Sequence, residues 1–181
     1  GEGIEGADSW ATDAHKWLNV PYDSGLAFVR EPGILPRAMS VTAAYLPTGQ
    51  EREPSFYTPE LSRRARGVEV WAALHSLGRS GVAELVERCC RHARRFAEGL
   101  REAGFEILND VVLNQVLVSF GDGETTRAVV AAVQRDGTCW CGPTVWQGHT
   151  AMRISVSSWA TTDDDVERCL ATMIRLAKEA D

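Results

Sequence analysis

The residues best suited to covalent chemistry stand together near the start of the chain, in Asp13-Ala14-His15-Lys16-Trp17. A lysine in a partly dry pocket beside a second cationic group loses its proton more easily and becomes a usable amine. That amine can form a Schiff base with an aldehyde cofactor or a carbonyl substrate. On the dipeptide alone, solvated surface charge is the commoner role of a lysine, and both readings stand. Tyr45, in VTAAYLPTG, is a loop phenol whose ordinary role is packing. Cys139-Trp140-Cys141 with His149 invites a metal, but the set lacks the fourth ligand that tetrahedral zinc takes, so no metal is expected. His75 shares a helical face with Val68 and Trp71 and reads as a core histidine. Arg63, Arg64 and Arg66 open the same helix and read as solvated or as inter-subunit partners. Arg153 falls on the alternate face of a strand, where a substrate carboxylate is one possible partner.

The elements that must position these groups follow from periodicity and punctuation. A short strand is expected at 7–11 and a better one at 25–30, GLAFVR, which Pro32 stops. Lys16 then lies where a strand ends and a loop begins. Residues 31–59 hold five prolines and polar turns and read as one long loop, of the kind that is usually functional or mobile. From Val68 the period becomes helical, with Gly78 and Gly81 as breakers. A second helix over 82–103 presents Val82, Leu85, Val86, Cys89, Ala93, Phe96, Ala97 and Leu100 on one face, and Gly104 caps its end. Strands are expected at 105–108, 115–120, 144–147 and 152–157, with a helix over 125–135 between the second and third. In the fourth, Met152, Ile154 and Val156 share a face. The last helix starts at Thr162, places Asp163–Asp165 at its positive end and buries Val166, Cys169, Leu170, Met173, Ile174 and Ala177.

Residues 82–181 therefore order as helix, strand, strand, helix, strand, strand, helix, a small α/β domain with its own core. Residues 68–81 form a connecting helix. Residues 1–67 do not look self-sufficient and are expected to be the tail of a larger domain that begins before Gly1.

Composition narrows the classes of function. Nineteen basic against 25 acidic residues leave a net charge of −6, which disfavours a nucleic-acid partner. No apolar run approaches a membrane span, and the acidic, Gly-rich start is no signal peptide. Five cysteines at scattered spacing suit free thiols in a reducing cytoplasm.

The stretch DSWATDAHKWLNVPYDSGLAFVR resembles the cofactor-lysine segment of the group II pyridoxal-phosphate-dependent amino-acid decarboxylases. The resemblance continues at LSRRARGVEVWAAL (61–74), at GVAELVERCCRHARRFAEGLREAGFEIL (81–108) and at TAMRISVSSWATTDDDV (150–166), in order over nearly the whole chain. It implies an α/β fold-type I architecture: the end of the large cofactor domain over 1–67, then the small C-terminal domain. It implies pyridoxal phosphate as cofactor, bound covalently by Lys16, with His15 close to its phosphate; a purely packing role for His15 stays open. Asp13 stands where some members have Asn, and a carboxylate would repel a phosphate, so no phosphate role passes to it. The Tyr45-Leu46 pair matches the family's mobile-loop pair, whose tyrosine returns a proton after carbon dioxide leaves; packing remains the alternative. Tyr45 in place of Phe favours simple decarboxylation over aldehyde formation.

The implied reaction is decarboxylation of an L-amino acid to its amine, and the Tyr-Leu pair with the SRRAR segment points first to aromatic substrates. A homodimer is implied, with the mobile loop serving the neighbouring site. The family's ring-stacking histidine and pyridine-pairing aspartate precede the lysine, so the chain alone is expected to be inactive. Two other readings compete. One is an aldehyde synthase, aminotransferase or lyase on the same fold. The other is a non-catalytic dimerisation or ligand-binding module in which Lys16 is incidental.

Overall fold

Two antiparallel strands carry the chain into and out of the lysine segment. In the computed structural model, which describes residues 3–41 and 52–180, β1 (Ser9–Asp13) pairs with β2 (Gly25–Val29) from Ser9 opposite Val29 to Asp13 opposite Gly25. Trp10 and Phe28, directly opposite, stack with ring centroids 4.0 Å apart, a cross-strand aromatic pair of the kind that fixes register. Both strands lie close to where the sequence places them. The 31–59 stretch is more structured than its prolines suggest. It holds helix α1 (Ile34–Met39) and a 3₁₀ turn at Pro54–Tyr57. Pro36 falls in the first turn of α1, where a missing N–H costs no helical bond.

Helix α2 spans Arg66–Glu102 and is interrupted at Gly78, whose φ of 62° and ψ of −179° are not helical. Only glycine enters that region without strain, so the expected breaker is one; Gly81 stays helical. The chain divides into two units, Gly1–Ser76 and Leu77–Asp181. In the first, a small core of Ala14, Val20 and Val70 is joined by Leu18, Leu26 and Ala73. The face of α2 carrying Val68, Trp71 and His75, expected to be core, is exposed, with Trp71 at 64%. Periodicity locates an apolar face but does not name what covers it. His75 instead lies against Trp71, centroids 4.8 Å apart.

The second unit follows the expected order. Strands β3 (Glu106–Ile107), β4 (Gln115–Ser119), β5 (Gly142–Trp146) and β6 (His149–Ser155) form an antiparallel sheet ordered β3-β4-β6-β5. Helices α3 (Gly123–Asp136) and α4 (Asp163–Ala180) complete it. Leu100, Val116, Val118, Val129, Val133, Met152 and Met173 are fully buried. Asp122 caps α3 by accepting from the Glu124 and Thr125 amides at 3.0 and 2.8 Å. A reciprocal box caps α4: the Asp165 amide donates to Thr162 Oγ1 at 3.2 Å and the Thr162 amide to Asp165 Oδ2 at 3.1 Å. His92, buried on α2, meets Asp163 at the start of α4, with Nε2 2.9 Å from Oδ1. Among the described residues no helix is long and apolar enough to cross a membrane.

Candidate active site

The site grows out of a closed turn after β1. The Lys16 amide donates to the Asp13 carbonyl and the Asn19 amide to the Lys16 carbonyl, both at 3.2 Å. Asn19 has φ 54°, a left-handed conformation that asparagine tolerates better than other side chains with a Cβ. Its amide group donates to the carbonyls of Trp17 at 2.7 Å and Lys16 at 3.1 Å. Ala14 and Val20, at either end of the turn, are buried in the small core. The backbone that presents His15 and Lys16 is thus held at both ends and across its middle.

His15 is fixed more tightly than a surface residue. Its Nδ1 lies 3.0 Å from both the amide nitrogen and the carbonyl oxygen of Ser24. A backbone amide can only donate, so the consistent arrangement has the Ser24 amide donating to Nδ1. Neutral His15 then carries its proton on Nε2. Tyr22 covers the ring, with centroids 4.0 Å apart. The segment 22–24 is itself gripped from α2 and the residues before it. Arg64 donates to the Tyr22 carbonyl at 2.6 Å, and Arg66 pairs with Asp23 at 2.8 Å. These arginines, expected to be solvated or inter-subunit, make intrachain pairs: Arg64 also meets Glu69 at 2.5 Å, and Arg63 meets Glu60 at 3.4 Å. Arg66 holds the Asp23 carboxyl below its ordinary range, mainly through this hydrogen bond.

Lys16 departs from the expected dry pocket. Its side chain is 65% exposed, and Nζ rests 2.5 Å from Asp13 Oδ2. The turn geometry accounts for this: a tight i to i+3 closure brings the lysine side chain back over the last residue of β1. Asp13 Oδ2 also lies 3.9 Å from Nε2 of His15. The Lys16 hydrogen bond, ahead of its charge and that of His15, lowers the Asp13 pKa below the usual carboxylate value. The structure therefore brings Asp13, His15 and Lys16 together. Sequence reasoning weighed Asp13 only against a phosphate and missed its contact with Lys16. Its signal was an acid three residues before a lysine across a strand-to-turn junction.

The likeness to known proteins takes in this turn. The model of the pyridoxal-dependent decarboxylase conserved domain matches residues 1–121. The chain belongs to the pyridoxal-dependent decarboxylase family. Among curated relatives, it is 31% identical to a histidine decarboxylase of Drosophila melanogaster, over 91% of the chain and 20% of that protein. It is 27% identical to an aromatic-L-amino-acid decarboxylase of Drosophila lebanonensis, over 92% of the chain and 42% of that protein. The chain thus spans between about a fifth and two-fifths of these relatives' length. A solved structure of Oryza sativa TDC with PLP and tryptamine superposes with a TM-score of 0.91 over 98% of the chain and 40% of its own, at 19% identity. Catharanthus roseus tryptophan decarboxylase in complex with L-tryptophan gives 0.84 over 99% of the chain and 40% of its own, at 22% identity. The α/β architecture expected of a fold-type I C-terminal portion is the one these neighbours share.

The remaining candidates lie elsewhere. Tyr45 is outside the described residues. Arg153 is exposed on β6, between buried Met152 and Ile154. In the second unit, Cys139, Cys141 and Cys169 of α4 line a cavity of about 220 Å³ with Phe96 and Met173. The neighbouring Cys141 thiol and then burial push the Cys139 thiol far above its ordinary range. Burial, then the Cys139 neighbour, push Cys169 up to about 12. These are protonated thiols at neutral pH, poor nucleophiles and poor metal ligands in that state.

Proposed function

We propose that this chain is the cofactor-lysine portion of a pyridoxal-phosphate-dependent amino-acid decarboxylase, with Lys16 as the covalent attachment point. The observation that carries the reading is a primary amine on a fixed turn, beside a histidine whose ring is locked by Ser24 and Tyr22, inside the region matched by the family model. The residues present fit the aldehyde end of the cofactor. Lys16 would supply the amine, the Asn19-closed turn holds its backbone, and His15, fixed by Ser24 and Tyr22, is the residue proposed to lie close to the phosphate. When bound, pyridoxal phosphate supplies an electron sink for the carbanion that loss of carbon dioxide leaves behind. What the chain does is hold one end of that group and keep the His15 ring fixed close by. Tyr45 is the proposed donor to the carbanion, in keeping with its Tyr-Leu pair.

The substrate class is an amino acid, aromatic ones first, a choice supported by relatives named aromatic-L-amino-acid and histidine decarboxylase. A second reading, aldehyde formation on the same fold, draws on a relative named 3,4-dihydroxyphenylacetaldehyde synthase at 24% identity. We place the protein in the cytoplasm, on its free thiols, and as a homodimer, on exposed Val68 and Trp71.

The experiment is borohydride reduction after incubation with pyridoxal phosphate, followed by peptide mapping. The chain has only two lysines, Lys16 and Lys178, so Lys178 is an internal reference. The expected result is a pyridoxyl adduct on Lys16 well above that on Lys178, lost in Lys16→Ala. Equal labelling of the two lysines would overturn the assignment. Product analysis on the whole protein then separates amine from aldehyde.

A further inference from the structure

The carboxylate of Asp13 is in contact with the amine that the proposed function depends on. Its position is built rather than incidental. Asp13 is the last residue of β1, opposite Gly25, and its Oδ1 lies 3.9 Å from where a Cβ at Gly25 would stand. Its other oxygen is 2.5 Å from Lys16 Nζ and 3.9 Å from His15 Nε2. One carboxylate thus faces both His15 and Lys16.

We infer that Asp13 is a positioning residue that stores Lys16 as an ammonium against the end of β1 and sets the pH at which that amine becomes available to an aldehyde. The inference rests on the reading of Lys16 as the cofactor lysine. A carboxylate in contact with an ammonium favours the charged form of the amine. Condensation needs the neutral form: the ammonium gives one proton to solvent, its nitrogen bonds to the aldehyde carbon, and water leaves. The contact with Asp13 must therefore break first. The low Asp13 pKa keeps it ionised throughout the neutral range. The titratable group at the pair is His15; behind it Tyr22 stacks on the His15 ring, and Asp23, Arg64 and Arg66 are paired on the 22–24 segment and at the start of α2. The Asp23 carboxylate is committed to Arg66.

The test compares the 181-residue chain with Asp13→Asn and Asp13→Glu. Lys16 is read by competitive acetylation across pH, mapped by mass spectrometry against Lys178. The exposed pair is worth little in water, so the expected gain in Lys16 labelling for Asp13→Asn is about two- to fivefold at pH 8, with the profile shifted to lower pH. Asp13→Glu, which keeps the charge, should track the wild type. Asp13→Ser removes the charge with a different side chain if the amide variant does not fold. Superimposable profiles for Lys16 in the wild type and in the charge-removed variant would overturn the inference. A parallel series with pyridoxal phosphate and borohydride separates the two claims. Shifted acetylation with no adduct on Lys16 in any variant refutes the cofactor reading and leaves Asp13 in its role. An adduct whose pH profile ignores Asp13 does the reverse.

Discussion

Replacing Asn19 tests whether the turn beneath Lys16 is held as described. Asn19→Ala keeps a Cβ at φ 54° and removes the donations to Lys16 and Trp17. A left-handed residue with a plain Cβ costs about 1–2 kcal/mol. Two exposed hydrogen bonds at the low end of their range add about 1 kcal/mol together. The turn should lose about 2–3 kcal/mol, or roughly 30- to 150-fold in its closing equilibrium. Asn19→Gly relieves the conformational cost and keeps only the hydrogen-bond loss plus some chain entropy, so it should fall between, at roughly 5- to 30-fold. The assay is native-state hydrogen exchange at the amides of Lys16 and Asn19, whose acceptors are the carbonyls of Asp13 and Lys16. Protection should drop in the order wild type, glycine, alanine, with the amides of the second unit unchanged. Unaltered exchange in Asn19→Ala, or a glycine variant worse than alanine, would refute the reasoning.

Other consequences are as direct. Leu100→Ala removes a fully buried side chain from α2 and should cost about 3 kcal/mol of stability by urea unfolding; less than 1 would contradict the packing described. Asp13, Asp122, Asp136, Asp165 and Glu167 all have pKa values lowered in the fold, each led by a hydrogen bond. Their stabilisation is complete above the unfolded carboxylate range and is lost as pH falls through the depressed folded values. The urea midpoint should therefore decline from pH 5 towards pH 2, and a flat midpoint over that window would count against these pairings. Alkylation of Cys139 and Cys169 by iodoacetamide should lag an exposed thiol at pH 7.5 and still be rising at pH 10; a plateau below pH 9 would mean that burial and the neighbouring thiols do not hold their protons.

Much of this was legible in the residues, for reasons that differ by place. Thr162 followed three residues later by Asp165 is a local signal, and α4 starts where that signal falls. The alternation of Met152, Ile154 and Val156 needs only the two-residue period of a strand, and all three are buried. The exposed Val68–Trp71 face was not foreseeable from periodicity, which reports amphipathicity but not the covering surface. Helix α1 was hidden by Pro32 and Pro36, because the rule that proline breaks helices omits the first turn. The grip of Arg64 and Arg66 on residues 22–24 links positions more than forty apart, and no spacing rule reaches that far. Asp13 was weighed only against a phosphate. Its partner was three residues away, and the turn that joins them becomes visible only once the chain is folded.

The four-stranded sheet of the second unit carries a consequence for solubility. At one border stands β3, two residues long, and at the other β5, which contains Pro143 and so lacks one amide. A stub offers too few groups to template a newcomer, and a proline interrupts the row that a guest strand would read. Both margins thus discourage ladder growth between molecules. Val145 and Trp146 stay uncovered on β5 without turning that margin into a seed for fibrils.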